Sequence, residues 1–338
     1  MMTSTPRTET PASTGFFIGV DVGGTKVAAG VVDASGAIHS QTRKPMVVGG
    51  SSAAGLAAVS SAIDALAAMN GNAAGNLLGI GICAPGPLDP ATGVVVNPPN
   101  LPCWRNFPLA DEIGKIYHVP VRVDNDGNAA ALAETLWGAG RGYKYVFYTS
   151  IGTGIGTGIV LDGQIYHGRT GAAGEGGHCS IDYRGPLCAC GKPGCIEAYA
   201  SGPSIARRAR AKLASSKSAM LELAGGNPDA LTTAMVGQAS AAGDDAAQQV
   251  LEETVEVLTL WFSNIVDLLD PDVLIVGGGV SVMLQPFFEE IRERLPKASV
   301  NPRCREIPFL PAFYGEDSGI AGGAALSSLL KLPSPILR

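Results

Sequence analysis

The sequence predicts an α/β protein made of two similar halves, on three observations. Apolar runs alternate with Ala- and Leu-rich helical stretches along most of the chain. A strand entering DVGGTK and continuing through VAAGVV is echoed by YVFYTSIGTGIGTGIVL, in which a second apolar strand enters a Gly/Thr turn. Finally, 338 residues exceed one typical domain, which favours two domains with a cleft between them.

Residues 16–20 read as the first strand, VAAGVV as its antiparallel neighbour across the Gly23 and Gly24 turn, and the residues after DASG as a third. Residues 51–69 are Ala-rich and helix-prone, 78–84 a buried strand and 109–117 a short amphipathic helix. VPVRVDND is a strand leading into a helix that starts near Asn128. The second hairpin follows, and its GIVLDGQI matches GVVDASGAI closely enough to read as an internal duplication. Beyond a cysteine-rich loop the chain turns helical over 203–213, where Ile205, Ala209 and Leu213 share a face, and over 246–269, which Asp270 and Pro271 terminate. Residues 273–280 are a buried strand entering a glycine turn, and 286–295 and 320–330 are helices. The boundary is expected near Asp124. That gives a first domain of 15–124 completed by about 317–338, and a second of 125–316 holding the helical insert between Ser201 and Leu269. Residues 1–14 are expected to be a disordered tail.

With 46% apolar and 16% charged residues and a net charge of −6, the chain lacks the basic footprint of a nucleic-acid binder. Its seven cysteines are odd in number, and Cys83, Cys103, Cys179 and Cys304 are scattered, which argues against a secreted disulfide framework and for a reducing cytoplasm. The opening residues include Arg7 but no apolar stretch, so neither signal peptide nor anchor is expected. No later segment has the roughly 18 unbroken apolar residues of a membrane span.

The chemistry concentrates in a few motifs. His178, Cys188, Cys190 and Cys195 supply one imidazole and three thiols at spacings that suit a closed tetrahedral Zn²⁺ site, with Gly191 and Gly194 turning the loop between the sulfurs. Four protein ligands leave no open position, so such a metal is structural and catalysis comes from elsewhere. In DVGGTK, Gly23 and Gly24 let backbone N–H groups approach a phosphate, Thr25 adds a hydroxyl and Lys26 a charge, while Asp21 can hold Mg²⁺ through water. Taken alone, this could be an ordinary hairpin turn. The SIGTGIG turn, with Ser150, Thr153 and Gly154, offers a second set of donors. A Walker loop is missing, and a dinucleotide fingerprint would need a helix where 155–160 continues as a strand.

Asn125 and Asp126 stand at the mouth of a helix, where the positive helix end should keep Asp126 ionised, and an ionised Asp beside a hydroxyl can accept its proton during phosphoryl transfer. Asn100 sits in a Pro-rich loop, and its amide can both donate to and accept from a hydroxyl. Glu175, His178 and Glu197 flank the cysteines, and the His178 nitrogen turned away from the metal is free for a substrate. Gly277 and Gly278 end a buried strand and could admit a flat adenosine, although packing alone also explains such glycines.

DVGGTK, IGTGIGTG, GAAGEGGH, CACGKPGC with Glu197, and the GGG run together resemble the ROK (repressor, open reading frame, kinase) family of sugar kinases over nearly the whole chain after the tail. The resemblance implies two actin-like (ribonuclease H-like) domains closing on ATP–Mg²⁺ and a hexose, in a homodimer or higher homo-oligomer. It casts Asp126 as catalytic base and Asn100, Asn125, Glu175, His178 and Glu197 as sugar contacts. It casts Gly23, Gly24 and Thr25 as the first phosphate turn, Thr153 and Gly154 as the second, and His178, Cys188, Cys190 and Cys195 as the zinc site. Glucose is the family's commonest substrate type; an N-acetylhexosamine (N-acetylmannosamine or N-acetylglucosamine) or fructose is the alternative. A sugar-responsive repressor would need a helix-turn-helix of some sixty residues, and only about fifteen precede the first strand. A non-catalytic sugar-binding protein would have no use for Asp126 and two phosphate turns.

Overall fold

The structure, a computed structural model, describes residues 15–47, 49–70, 77–213 and 217–329. The expected tail at 1–14 and everything from residue 330 onward lie outside them.

Strands β1 (Phe16–Val22), β2 (Lys26–Val32) and β3 (Ile38–Pro45) form an antiparallel meander, and α1 (Ser52–Asn70) packs on it before β4 (Leu77–Ala84) returns parallel to β1. By length and composition α1 could span a bilayer. Its Val59, Ala62, Ile63 and Leu66, however, are buried in one core with the side chains of β1, β2 and β4. A small hairpin, β5 (Leu88–Asp89) and β6 (Val94–Val95), precedes α2 (Leu109–Tyr117), and β7 (Val121–Asn125) completes the sheet in the order β3-β2-β1-β4-β7.

The chain passes from β7 straight into α3 (Asp126–Leu136) and then into β8 (Tyr145–Ile151), β9 (Ile155–Leu161) and β10 (Gln164–Ile165). After the cysteine loop come α4 (Glu197–Ala200), α5 (Gly202–Leu213), α6 (Ala219–Leu223), α7 (Thr233–Ala241) and α8 (Asp245–Leu269). The last elements are β11 (Val273–Gly277), α9 (Ser281–Leu284), α10 (Phe288–Arg294), β12 (Phe309–Pro311) and α11 (Ser318–Ser328). The second sheet runs β10-β9-β8-β11-β12, an antiparallel triplet followed by two parallel strands, as in the first. The echo between the two hairpins is thus a duplication of topology as well as of sequence. The largest core forms between this sheet and α5, α7 and α8 around Phe147, Trp261 and Phe262.

Two expected elements differ. The strand from 273 stops at Gly277, because Gly278 adopts φ +86°, the left-handed region that favours glycine. The helix expected over 286–295 is split. Short α9 comes first, a 3₁₀ turn over Gln285–Phe287 holds Pro286, and α10 begins only at Phe288. Helix α11 packs against β1, β4 and α3. A Cβ placed on Gly19 would lie 1.8 Å from the Ile320 carbonyl oxygen, and one on Gly81 1.7 Å from that of Gly323, so helix and sheet meet backbone to backbone.

Candidate active site

The parallel pairing of β1, β4 and β7 sets Asp21 level with Cys83, and Ala84 level with Asn125, so Asp21 and the start of α3 emerge at one C-terminal sheet edge. Helix α3 begins at Asp126, two residues earlier than expected. Asn125 caps it, its Oδ1 accepting the Gly127 N–H at 2.9 Å, and an Asp126 oxygen accepts the same N–H at 2.8 Å. From the second sheet the β8–β9 turn brings Ser150, Gly152, Thr153 and Gly154 to the same space, and Asn100 and Glu197 join them. Together these residues line a cleft of about 590 Å³.

The electrostatics correct one expectation. Burial pushes the Asp126 carboxyl above the ordinary carboxylate range, and the opposing Gly127 N–H does not offset it. Burial therefore outweighs the helix end, which was expected to lower the proton affinity of Asp126 and keep it ionised. Asp21 is likewise raised, to about 6, first by burial and then by the Asp126 charge, with Lys26 and Arg43 opposing. Two carboxyls of raised proton affinity thus share the cleft.

Glu197, the first residue of α4, accepts the Ile155 N–H through Oε2 at 2.8 Å, while its Oε1 lies 3.8 Å from Cys188 Sγ. It spans from the second glycine turn to the cysteine cluster. There the donor atoms of His178, Cys188, Cys190 and Cys195 all lie within 4.8 Å of one another. Cys190 and Cys195 sulfurs are 3.6 Å apart, and Cys188 Sγ is 3.7 Å from His178 Nδ1. A tetrahedron with Zn–S bonds near 2.3 Å has S···S edges of about 3.8 Å, so the donor set fits zinc in identity and spacing. Gly191 and Gly194 turn the loop as expected, at φ +89° and +72°. With Nδ1 turned to the sulfurs, the other ring nitrogen of His178 is the one left for a substrate.

The remaining predicted residues are not among those that line the cleft. Gly23 closes the β1–β2 turn through its N–H to the Lys26 carbonyl, Thr25 and Lys26 are exposed, and Gly24 approaches Asn100, whose carbonyl would lie 3.4 Å from a Cβ there. Asn125 engages its Oδ1 in the cap, and Glu175 is exposed just before the turn that carries His178. A Cβ on Gly277 would meet Tyr148 and Ala312, and one on Gly278 the Ile151 backbone, so both glycines are packed closely on that side, while Gly278 stays half-buried. Their neighbour Gly279 does open, onto a second and mainly apolar cavity of about 900 Å³ between α7, α8 and α9, lined by Ala234, Gly237, Leu251, Val282 and Met283. Sequence reasoning missed Tyr148, Ser318 and Gly319, which also line the catalytic cleft. The DSG run ahead of the Ala-rich last helix was the available signal, because it reads as a helix N-terminus.

Two five-stranded sheets of like topology, with a shared cleft reached by the glycine turn of one and the carboxylates of the other, define the class: the two-domain actin-like α/β fold. Within it, the chain belongs to the ROK family, whose model matches residues 17–329. It is 35% identical over 313 residues to a glucokinase of Halalkalibacterium halodurans, covering 92% of this chain and 94% of the relative. It is 31% identical to an N-acetylmannosamine kinase of Escherichia coli O157:H7, covering 93% and 99%. Among solved structures, a ROK family glucokinase of Streptomyces griseus in complex with glucose and AMPPNP superposes with a TM-score of 0.78 at 34% identity, covering 92% of this chain and 99% of that one.

Proposed function

We propose that this protein transfers the γ-phosphoryl group of ATP to a hydroxyl of a hexose, converting glucose to glucose 6-phosphate. One observation carries the reading: Asp126 shares a single cleft with the Thr153 and Gly154 turn and with Asn100 and Glu197. A base, phosphate donors and hydroxyl-binding groups within about 590 Å³ are what an in-line phosphoryl transfer between ATP and a sugar needs. The similarity to a glucokinase bound to glucose and an ATP analogue supports both ligands.

The raised proton affinity of Asp126 suits its role. A carboxylate matched more closely to the operating pH is a better acceptor for the proton that the sugar hydroxyl sheds as its oxygen meets phosphorus. Backbone N–H groups of the two glycine turns stabilise charge on the phosphoryl oxygens. Asp21 would hold, through water, a magnesium ion arriving with ATP, which would supply further neutralisation there. The adenosine lies toward Gly279 and the apolar cavity beside it. Asn100, Asn125, Glu175, His178 and Glu197 hold the sugar, and His178, Cys188, Cys190 and Cys195 would hold a zinc ion that would fix the loop presenting two of them. We take the division between the moving halves to be the β7–α3 junction, with α11 belonging to the first half. A cytoplasmic homo-oligomer that binds no nucleic acid is in keeping with the thiol content and the net charge of −6.

The test is ADP release with ATP–Mg²⁺ across glucose, mannose, N-acetylglucosamine, N-acetylmannosamine and fructose. Turnover fastest with glucose is expected. Preference for N-acetylmannosamine would shift the assignment toward the second relative, and no response to any sugar would leave a binding protein.

A further inference from the structure

The loop between β10 and the cysteine cluster carries Glu175 and His178, and most of its fastenings are to its own half. The Ala173 N–H reaches the His167 carbonyl at 3.1 Å, the Gly176 N–H reaches Thr157 Oγ1 at 2.8 Å, and the Trp261 indole N–H reaches the Gly176 carbonyl at 3.1 Å. One side-chain fastening crosses to the first sheet: His167 Nε2 lies 2.6 Å from Asp124 Oδ2. Asp124 is 3% exposed, and its other oxygen accepts the Asn125 N–H at 2.7 Å and Asn128 Nδ2 at 3.0 Å. The far end of this network, Asn128 Oδ1, is buried without a partner beside Gly174, so its bond to Asp124 is what fixes that amide. Asp124 therefore ties together the strand end, the first turn of α3 and the imidazole. Near the same crossing, a Cβ placed on Gly171 would lie 2.7 Å from Pro90 Cδ, just after β5.

From this network we infer that His167 is a positioning residue: its imidazole clamps the loop bearing Glu175 and His178 to the strand end bearing Asn125 and Asp126, and so sets the spacing between the groups that hold the sugar and the base that deprotonates it. The inference rests on the sugar-kinase reading for its kinetic consequence but not for the clamp itself. His167 touches no reacting atom. It acts through Asp124, a buried carboxylate whose other hydrogen bonds, among the described residues, come from the Asn125 N–H and Asn128 Nδ2 of its own strand end and helix.

The experiment compares wild type, His167→Ala and His167→Gln by hydrogen–deuterium exchange over residues 168–177 and by initial rates with glucose and ATP–Mg²⁺. In His167→Ala, exchange in that loop should speed up at least fivefold. The KM for glucose should rise about tenfold while the KM for ATP stays within twofold. His167→Gln, whose amide can still donate to Asp124, should recover part of both effects, and it provides the readout if the alanine variant folds poorly. Adding Asp124→Asn to His167→Ala should cost little more than the first change alone. Unchanged loop exchange, or equal rises in both KM values, overturns the clamp. If wild type phosphorylates no sugar, the kinase reading fails while the exchange data still decide the clamp.

Discussion

Replacing Asp21 by Asn should make the ligand-free protein more stable while disabling it. Burial and the Asp126 charge raise the Asp21 carboxyl from 3.8 to about 6. At 1.36 kcal/mol per tenfold change in proton affinity, that gap puts about 3 kcal/mol of strain on the ionised form. Because the folded protein holds this proton more tightly than the unfolded chain does, the favourable contribution is complete below pH 3.8 and is lost as the pH rises through about 6. Asparagine has no charge to bury. Asp21→Asn should therefore gain about 3 kcal/mol above pH 7 and roughly half that at pH 5, where most of the wild-type carboxyl is already protonated. Urea denaturation of both proteins at pH 7.5 and pH 5 measures the difference. ADP release at pH 7.5 should fall roughly a hundredfold or more, because Asn offers magnesium no charge and so weakens the hold on the ion that would neutralise the phosphates. A variant no more stable than wild type at pH 7.5, or one whose advantage fails to shrink at pH 5, would refute the view of Asp21 as a strained buried acid.

Asp126→Asn should lower kcat by on the order of 10²–10⁴ while calorimetry finds glucose binding nearly unchanged; retention of a tenth of wild-type kcat would remove Asp126 from the role of base. Metal analysis should find close to one zinc per chain, and Cys190→Ser should lose both the metal and glucose affinity; full activity in metal-free protein would exclude the structural role. Gly81→Ala, which drives a methyl group into the Gly323 carbonyl, should cost about 3 kcal/mol in denaturation experiments; a cost below roughly 0.5 kcal/mol would mean that the helix and sheet can part easily.

Much of this architecture was legible because it rests on local signals. The two Gly/Thr hairpins are short-range patterns, and their likeness foretold two sheets of matching strand order. The cysteine spacing likewise foretold four donor atoms converging. What escaped were properties of assembly. Asp126 read as a helix-end acid, but the β8–β9 turn and α11 close over it and burial decides its proton affinity. Ser318 and Gly319 reach the cleft only because α11 returns to β1, nearly 300 residues later in the chain. Gly277 and Gly278 drew attention as open backbone, yet Tyr148 and Ile151 occupy the space beside them, and the opening falls at Gly279. Within the expected helical insert α7 was not delimited, because its small residues give little helical periodicity.

The backbone contact between α11 and the first sheet bears on how the protein is made. Phe17, Ala28 and Val32 share a core with Ile320 and Ala324, so one face of the first sheet stays uncovered until the ribosome has delivered α11, some 300 residues later. A nascent or truncated chain ending before Ser318 would present that face to water, together with Gly19 and Gly81, whose bare backbone is shaped for the missing helix. Strands β1 and β4 must wait for α11, which makes loss of that helix as damaging to solubility as a lesion in the cleft is to turnover.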